Sequence, residues 1–278
     1  MIPFTKMHGL GNDFILIERV HLGMLDVFEL ARRMCARHTG IGADGLLLVS
    51  PSDKADLKMR IINSDGSEAE MCGNGIRCFA RYAYERGLIN KKSFTVETLG
   101  GIILPALVTD AAGEVRAVTV DMGVPLFERE SIPMAGAKGR ALSEALQAGG
   151  RTWTISALRM GVPHAVVFVE DVDGIDVEKD GRAIETHAAF PEKTNVDFVQ
   201  VLDEETIAVR TWERGAGVTL ACGTGACASV VAANLLGKTQ RKVTVQLELG
   251  TLSVSLQDDG RVLMSGPAEY VFEGKYRK

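Results

Sequence analysis

Met71-Cys72-Gly73-Asn74-Gly75-Ile76-Arg77-Cys78 is the stretch on which the fold turns, because its Cys-Gly-x-Gly core occurs a second time. Cys222-Gly223-Thr224-Gly225-Ala226-Cys227 follows 150 residues later and, like the first, runs into an apolar stretch with helical periodicity. The frame around the two copies matches as well. Arg60 and Arg210 lie twelve residues before their cysteines, and Asn63 and Glu213 lie nine before. Upstream, Asn12-Asp13-Phe14-Ile15-Leu16-Ile17-Glu18 echoes His164-Ala165-Val166-Val167-Phe168-Val169-Glu170 at an offset of 152. A solenoid repeat is far shorter, so each copy reads as a whole domain. Two such domains facing each other would bring two cysteines, each at a helix start, to one small molecule.

Composition agrees with this reading. A chain of 278 residues, 46% of them hydrophobic, can fill two ordinary cores. The net charge of −5 comes without a basic block, which argues against nucleic acid or an anionic membrane surface as partner. No signal segment and no run of about eighteen apolar residues stands in the sequence, which predicts a soluble, cytoplasmic protein. The cysteines are Cys35, Cys72, Cys78, Cys222 and Cys227, an odd number without a C-x-x-C pair. That pattern speaks against a disulfide framework, a zinc ribbon or a thioredoxin-type centre.

Short runs rich in Val, Ile and Thr predict strands over 14–20, 45–49, 57–63, 93–98, 115–122, 165–170, 196–202, 205–212, 242–247, 251–256 and 261–265. Residues 248–251 and 258–260 read as hairpin turns. Helices are predicted over 28–38, 74–86 and 225–236, with Gly87 and Gly237 as C-terminal caps. Residues 135–151 read as a connecting excursion around a short helix. The class is α+β, since a regular βαβ alternation is missing. The repeat places one domain at 1–122 and the other at 123–266. The tail from 267 to 278 has no counterpart in the first copy and is expected to return to the first domain as a strand.

A thiol becomes a useful base only where its thiolate is stabilised, and a helix N-terminus offers free amides and a dipole for that. The glycines after Cys72 and Cys222 remove side chains, so the amides of Gly73, Asn74, Gly223 and Thr224 can approach a ligand carboxylate. Bonds of that kind also stabilise charge flowing into the carboxylate when the neighbouring carbon loses a proton. A single cysteine is more often a small buried hydrophobe, and Cys35, Cys78 and Cys227 fit that description. The duplicated setting separates Cys72 and Cys222 from them.

These motifs resemble those of the diaminopimelate epimerases. His8-Gly9-Leu10-Gly11-Asn12-Asp13-Phe14, Gly40-Ile41-Gly42-Ala43-Asp44-Gly45 and Asn63-Ser64-Asp65-Gly66-Ser67 carry the likeness in the first half. Thr194-Asn195-Val196-Asp197-Phe198 and Glu213-Arg214-Gly215 carry it in the second, beside the two cysteine blocks. The resemblance implies two pseudo-twofold-related domains, each with strands wrapped around a central helix, and usually a homodimer. It implies inversion at one α-carbon of diaminopimelate with no cofactor and no metal, one cysteine acting as thiolate base and the other as thiol acid. Carried over by position, Asn12 and Glu213 would hold the reacting amino group, and Asn63, Asn195 and Arg214 the distal amino-carboxylate. His164 and Asp44 would have supporting roles. For Asn12 and Asn63 the alternative is a turn or strand-end residue, for Glu213 and Arg214 a solvated ion pair, and for His164 a satisfied core histidine.

One position departs from the resemblance: Val162 in Met160-Gly161-Val162-Pro163-His164 stands where the family usually has Asn. The inversion chemistry is untouched, but the distal group of the substrate is left open. A racemase of another amino acid, histidine for example, is the alternative within the same chemistry. A thiol redox protein and a non-catalytic carboxylate binder are the alternatives from other classes.

Overall fold

The computed structural model describes residues 1–277, and the chain divides into two compact units. Met1–Asp121 and the segment from Ser265 onward form one; Met122–Met264 forms the other. The first unit opens with β1 (Ile2–Gly9) and β2 (Asn12–Glu18), an antiparallel hairpin turned at Leu10 and Gly11, both at positive φ. Asp26 caps α1 (Val27–Cys35) by accepting from the Phe28 and Glu29 amides. This helix carries the chain across to β3 (Gly45–Ser50), which lies parallel to β2. Next come β4 (Leu57–Asn63), antiparallel to β3, and the short β5 (Glu68–Ala69) folded back on β4. Then α2 (Gly73–Glu85) crosses to β6 (Val96–Thr98), parallel to β4. The strand β7 (Gly101–Ile103) and the hairpin of β8 (Ala106–Thr109) and β9 (Val115–Asp121) complete the run.

The second unit begins with a hairpin of β10 (Ala141–Ala148) and β11 (Arg151–Met160), followed by β12 (Val162–Phe168). Through α3 (Val177–Glu185) the chain reaches β13 (Asn195–Asp203), parallel to β12. The strands β14 (Thr206–Glu213) and β15 (Gly217–Thr219) form a tight return, and α4 (Gly223–Leu235) crosses to β16 (Lys242–Leu247). The unit ends with β17 (Gly250–Leu256) and β18 (Val262–Gly266). Finally β19 (Glu269–Tyr276) pairs antiparallel with β1.

The two sheets share one topology over seven strands. Strand order β19-β1-β2-β3-β4-β6-β7 in the first matches β10-β11-β12-β13-β14-β16-β17 in the second, with each neighbouring pair parallel or antiparallel alike. The counterpart of the tail strand β19 is therefore β10. Residues 135–151 are not an excursion around a short helix. Ala, Leu and Glu give β10 a helical propensity, but Gly149 and Gly150, at φ 60° and 81°, close a two-residue hairpin onto β11. Leu146 and Ala148 enter the core from that ladder, and tertiary pairing overrides local preference.

The helices differ in how they are buried. The helix α4 is apolar on all sides and packs against β11–β14, β16 and β17, while α2 packs against β1–β4, β8 and β9. By contrast α1 and α3 are amphipathic covers on their sheets. Strand β3 explains itself in these terms. Leu46 and Leu48 join the cluster under α1, and Leu47 meets Gly75 of α2, so both faces are covered and the run is continuously hydrophobic. Gly87 and Gly237, at φ 70° and 66°, cap α2 and α4. Among the described residues no helix is long and apolar enough to cross a membrane.

Candidate active site

Each unit places one motif cysteine at the N-terminus of its enclosed helix. Cys72 is the N-cap of α2 and Cys222 the N-cap of α4, both with extended backbone. Each Sγ accepts from the amide three residues on, Gly75 or Gly225, at 3.4 Å. The amides of Gly73, Gly223 and Thr224 have no hydrogen-bond partner among the described residues, as expected for the first turn of a helix.

In the first unit, Asn12 at the start of β2 reaches Cys72. Its Oδ1 lies 3.5 Å from the thiol and accepts from Asn74 Nδ2 at 3.1 Å. Asp44 fixes that orientation, accepting from Asn12 Nδ2 at 2.7 Å and from the Asp13 amide at 3.0 Å. Behind it Arg37 bonds both Asp44, at 2.7 Å, and Asp13, and Lys6 pairs with Asp13 at 2.7 Å. Burial pushes the Asp13 carboxyl up, but the bonds from Arg37 and Lys6 prevail and hold it below the usual range. The parallel pairing of β2 and β3 sets Phe14 opposite Gly45 and so delivers Asn12 and Asp44 to one end of the sheet. Asn63 closes the turn after β4, its Nδ2 donating to Ser67 Oγ at 2.9 Å.

In the second unit, His164 and Asn195 are partners across β12 and β13, at the same end of the sheet as Asn12 in the first. His164 is fully buried; its Nδ1 lies 2.7 Å from Asp197 Oδ2, and its Nε2 has no partner among the described residues. Thr211 Oγ1 donates to the other Asp197 oxygen at 2.8 Å. Glu213 ends β14 and accepts from Thr219 Oγ1 at 2.7 Å. Arg214 gives its amide to Asn195 Oδ1 at 2.9 Å and its guanidinium to the Glu192 carbonyl at 3.0 Å. Thr224 Oγ1 lies 3.4 Å from Cys222 Sγ. Val162 is half-buried at the first position of β12.

The helix terminus does not dominate at Cys222. Burial raises this thiol well above its usual value, the charges of Glu213 and Asp197 add to that, and the bonds from Thr224 and Gly225 only partly offset it. The group therefore rests as S–H, able to give a proton. Cys72 is half-exposed, its Sγ 3.5 Å from Asn12 Oδ1. Burial pushes the Cys35 and Cys78 thiols up to about 12, the behaviour of inert core cysteines. Four contributors escape a reading of the sequence: Arg37, Asp13, Asp197 and Thr219. Asp197 sits inside Thr194-Asn195-Val196-Asp197-Phe198, where its period-two spacing from Asn195 was the available signal.

The fold is a known one. A Bacillus anthracis phenazine biosynthesis protein of the PhzF family superposes with a TM-score of 0.72, covering 100% of this chain and 99% of that one at 19% identity. The sequence profile of the diaminopimelate epimerases matches residues 4–127 and 156–271. A diaminopimelate epimerase of Pelotomaculum thermopropionicum is 54% identical over 275 residues, 98% of each chain. Another, from Heliobacterium modesticaldum, is 54% identical over 278 residues, 99% of each. The chain belongs to the diaminopimelate epimerase family.

Proposed function

We propose that this protein interconverts LL- and meso-diaminopimelate by inverting one α-carbon with two cysteines, and so serves lysine and peptidoglycan precursor synthesis. The observation that carries the reading is the duplicated N-cap. Cys72 and Cys222 hold the same position in two sheets of one topology, which is what a reaction on two faces of one carbon requires. In one direction Cys72, as thiolate, removes the α-proton, and the C–H electron pair passes into the substrate carboxylate. The open amides of Gly73, Gly223 and Thr224 stabilise that charge together with Asn74. Cys222 then returns a proton from its S–H to the opposite face and is left as the thiolate. One proton is taken and one given, so the thiols exchange roles and the reverse reaction starts where the forward one ends. No cofactor or metal enters this scheme.

Asn12 and Glu213 orient the reacting ammonium group, while Asn63, Asn195 and Arg214 hold the distal amino-carboxylate, Arg214 by a charge-assisted fork. His164 and Asp44 support the site from behind. The working form is a cytoplasmic homodimer. The test is turnover of reduced protein with LL-diaminopimelate beside L-histidine and other L-amino acids. Wild type should form the meso isomer, and Cys72→Ala and Cys222→Ala should each lose more than about 10³-fold in kcat. Turnover of a different amino acid in the panel would move the substrate, and wild-type rates in either alanine variant would remove the two-base scheme.

A further inference from the structure

We infer that Thr219 is a positioning residue for the reaction, fixing the Glu213 carboxylate so that one defined oxygen faces the substrate's ammonium group. The inference rests on the role proposed for Glu213 and adds the residue that makes that role possible. Thr219 and Glu213 belong to the antiparallel ladder of β14 and β15, where Glu213 pairs with Gly217 and Thr211 with Thr219. Partners and their second neighbours share a face, so Thr211, Glu213, Gly217 and Thr219 all lie on one side of this ladder. There Thr219 Oγ1 donates to Glu213 Oε1 at 2.7 Å.

The consequence is selective. Glu213 Oε1 is occupied, and Oε2 has no hydrogen bond among the described residues, so it is the oxygen left for an incoming cation. Thr219 also stands three residues before Cys222, whose thiol feels the Glu213 charge. The hydroxyl thus holds the carboxylate at a set place beside the proton donor, and a carboxylate free to swing would forfeit that orientation. A second row on the same face repeats the device, Thr211 donating to Asp197 at 2.8 Å.

The test is a double-mutant cycle with a conservative rescue, read with LL-diaminopimelate. Thr219→Val keeps the shape and removes the donor; kcat should fall about 10- to 100-fold, with KM changed less than about 3-fold because Asn12 still holds the amino group. Thr219→Ser should recover most of that loss. Glu213→Gln should be severely impaired, and adding Thr219→Val to it should cost less than about 2-fold more. Wild-type kcat in Thr219→Val beside an impaired Glu213→Gln would overturn the inference. So would an equal Thr219→Val penalty on both backgrounds, or a Thr219→Ser variant no better than Thr219→Val. Wild-type kcat in Glu213→Gln would instead overturn the role of Glu213, and the inference with it.

Discussion

At Cys222 the pull of a helix N-terminus and the cost of burial act in opposite directions, and burial wins. The side chain is 4% exposed and faces two carboxylates, whereas Cys72 is half-exposed beside a neutral amide. In the free, reduced protein iodoacetamide should therefore label Cys72 at least about ten-fold faster than Cys222 at pH 8, followed by peptide mass spectrometry. Faster labelling of Cys222 would contradict its assigned resting state. Asp44 yields a second expectation at this scale. Its carboxylate pins the Asn12 amide with Oδ1 toward Cys72, so Asp44→Ala should lower kcat/KM about 10-fold or more. Unchanged kinetics would show that Asn12 orients without help. In the sequence Cys72 and Cys222 stood out because a thiol before Gly-x-Gly occurs twice, whereas Asn12 and Glu213 entered the site only through the family resemblance. The sequence did not reveal Thr219 or Arg37, whose meaning lies in cross-strand register and loop docking. Nor did it show that Cys222 is deeply enough buried for desolvation to outweigh the helix terminus.

At the scale of elements, the two motif helices look interchangeable in sequence but sit on different floors. A Cβ at Gly75 would lie 3.3 Å from Leu47 Cδ2, a flexible neighbour, whereas one at Gly225 would lie 2.2 Å from Asp197 Oδ1. Asp197 is fully buried and held by His164 and Thr211, so it cannot step aside cheaply. Gly225→Ala should destabilise the fold by about 2–4 kcal/mol in denaturant unfolding, and Gly75→Ala by about 1 kcal/mol or less. Equal effects would contradict this packing. The core thiol on α2 gives a pH signature. Cys78 has a folded value of about 12 against a usual 9.0, so its stabilising contribution is complete below about pH 9 and declines as pH rises toward 12. Thermal unfolding of Cys78→Ala should fall less steeply than wild type between pH 9 and 11, and parallel curves would remove the linkage. Most strands and three helices were readable from periodicity; β10 was not, because its residues favour a helix until the Gly149-Gly150 turn pairs them with β11.

For the whole molecule, the repeat in the sequence is a repeat of topology, with one exchange that explains the tail. The strand filling the outer place of the first sheet is β19, from the far end of the chain, and β10 fills the same place in the second. Cys72 and Cys222 cap equivalent helices, and the proposed inversion needs both. The most direct measurement follows LL-diaminopimelate in deuterium oxide with the reduced protein, by NMR and mass spectrometry at early conversion. Two thiols acting from opposite faces predict one deuteron at the inverted α-carbon of the meso product, while unreacted LL substrate keeps its proton. Deuterium appearing in the recovered LL substrate as fast as in the product would mean one base serving both steps, and would contradict the account.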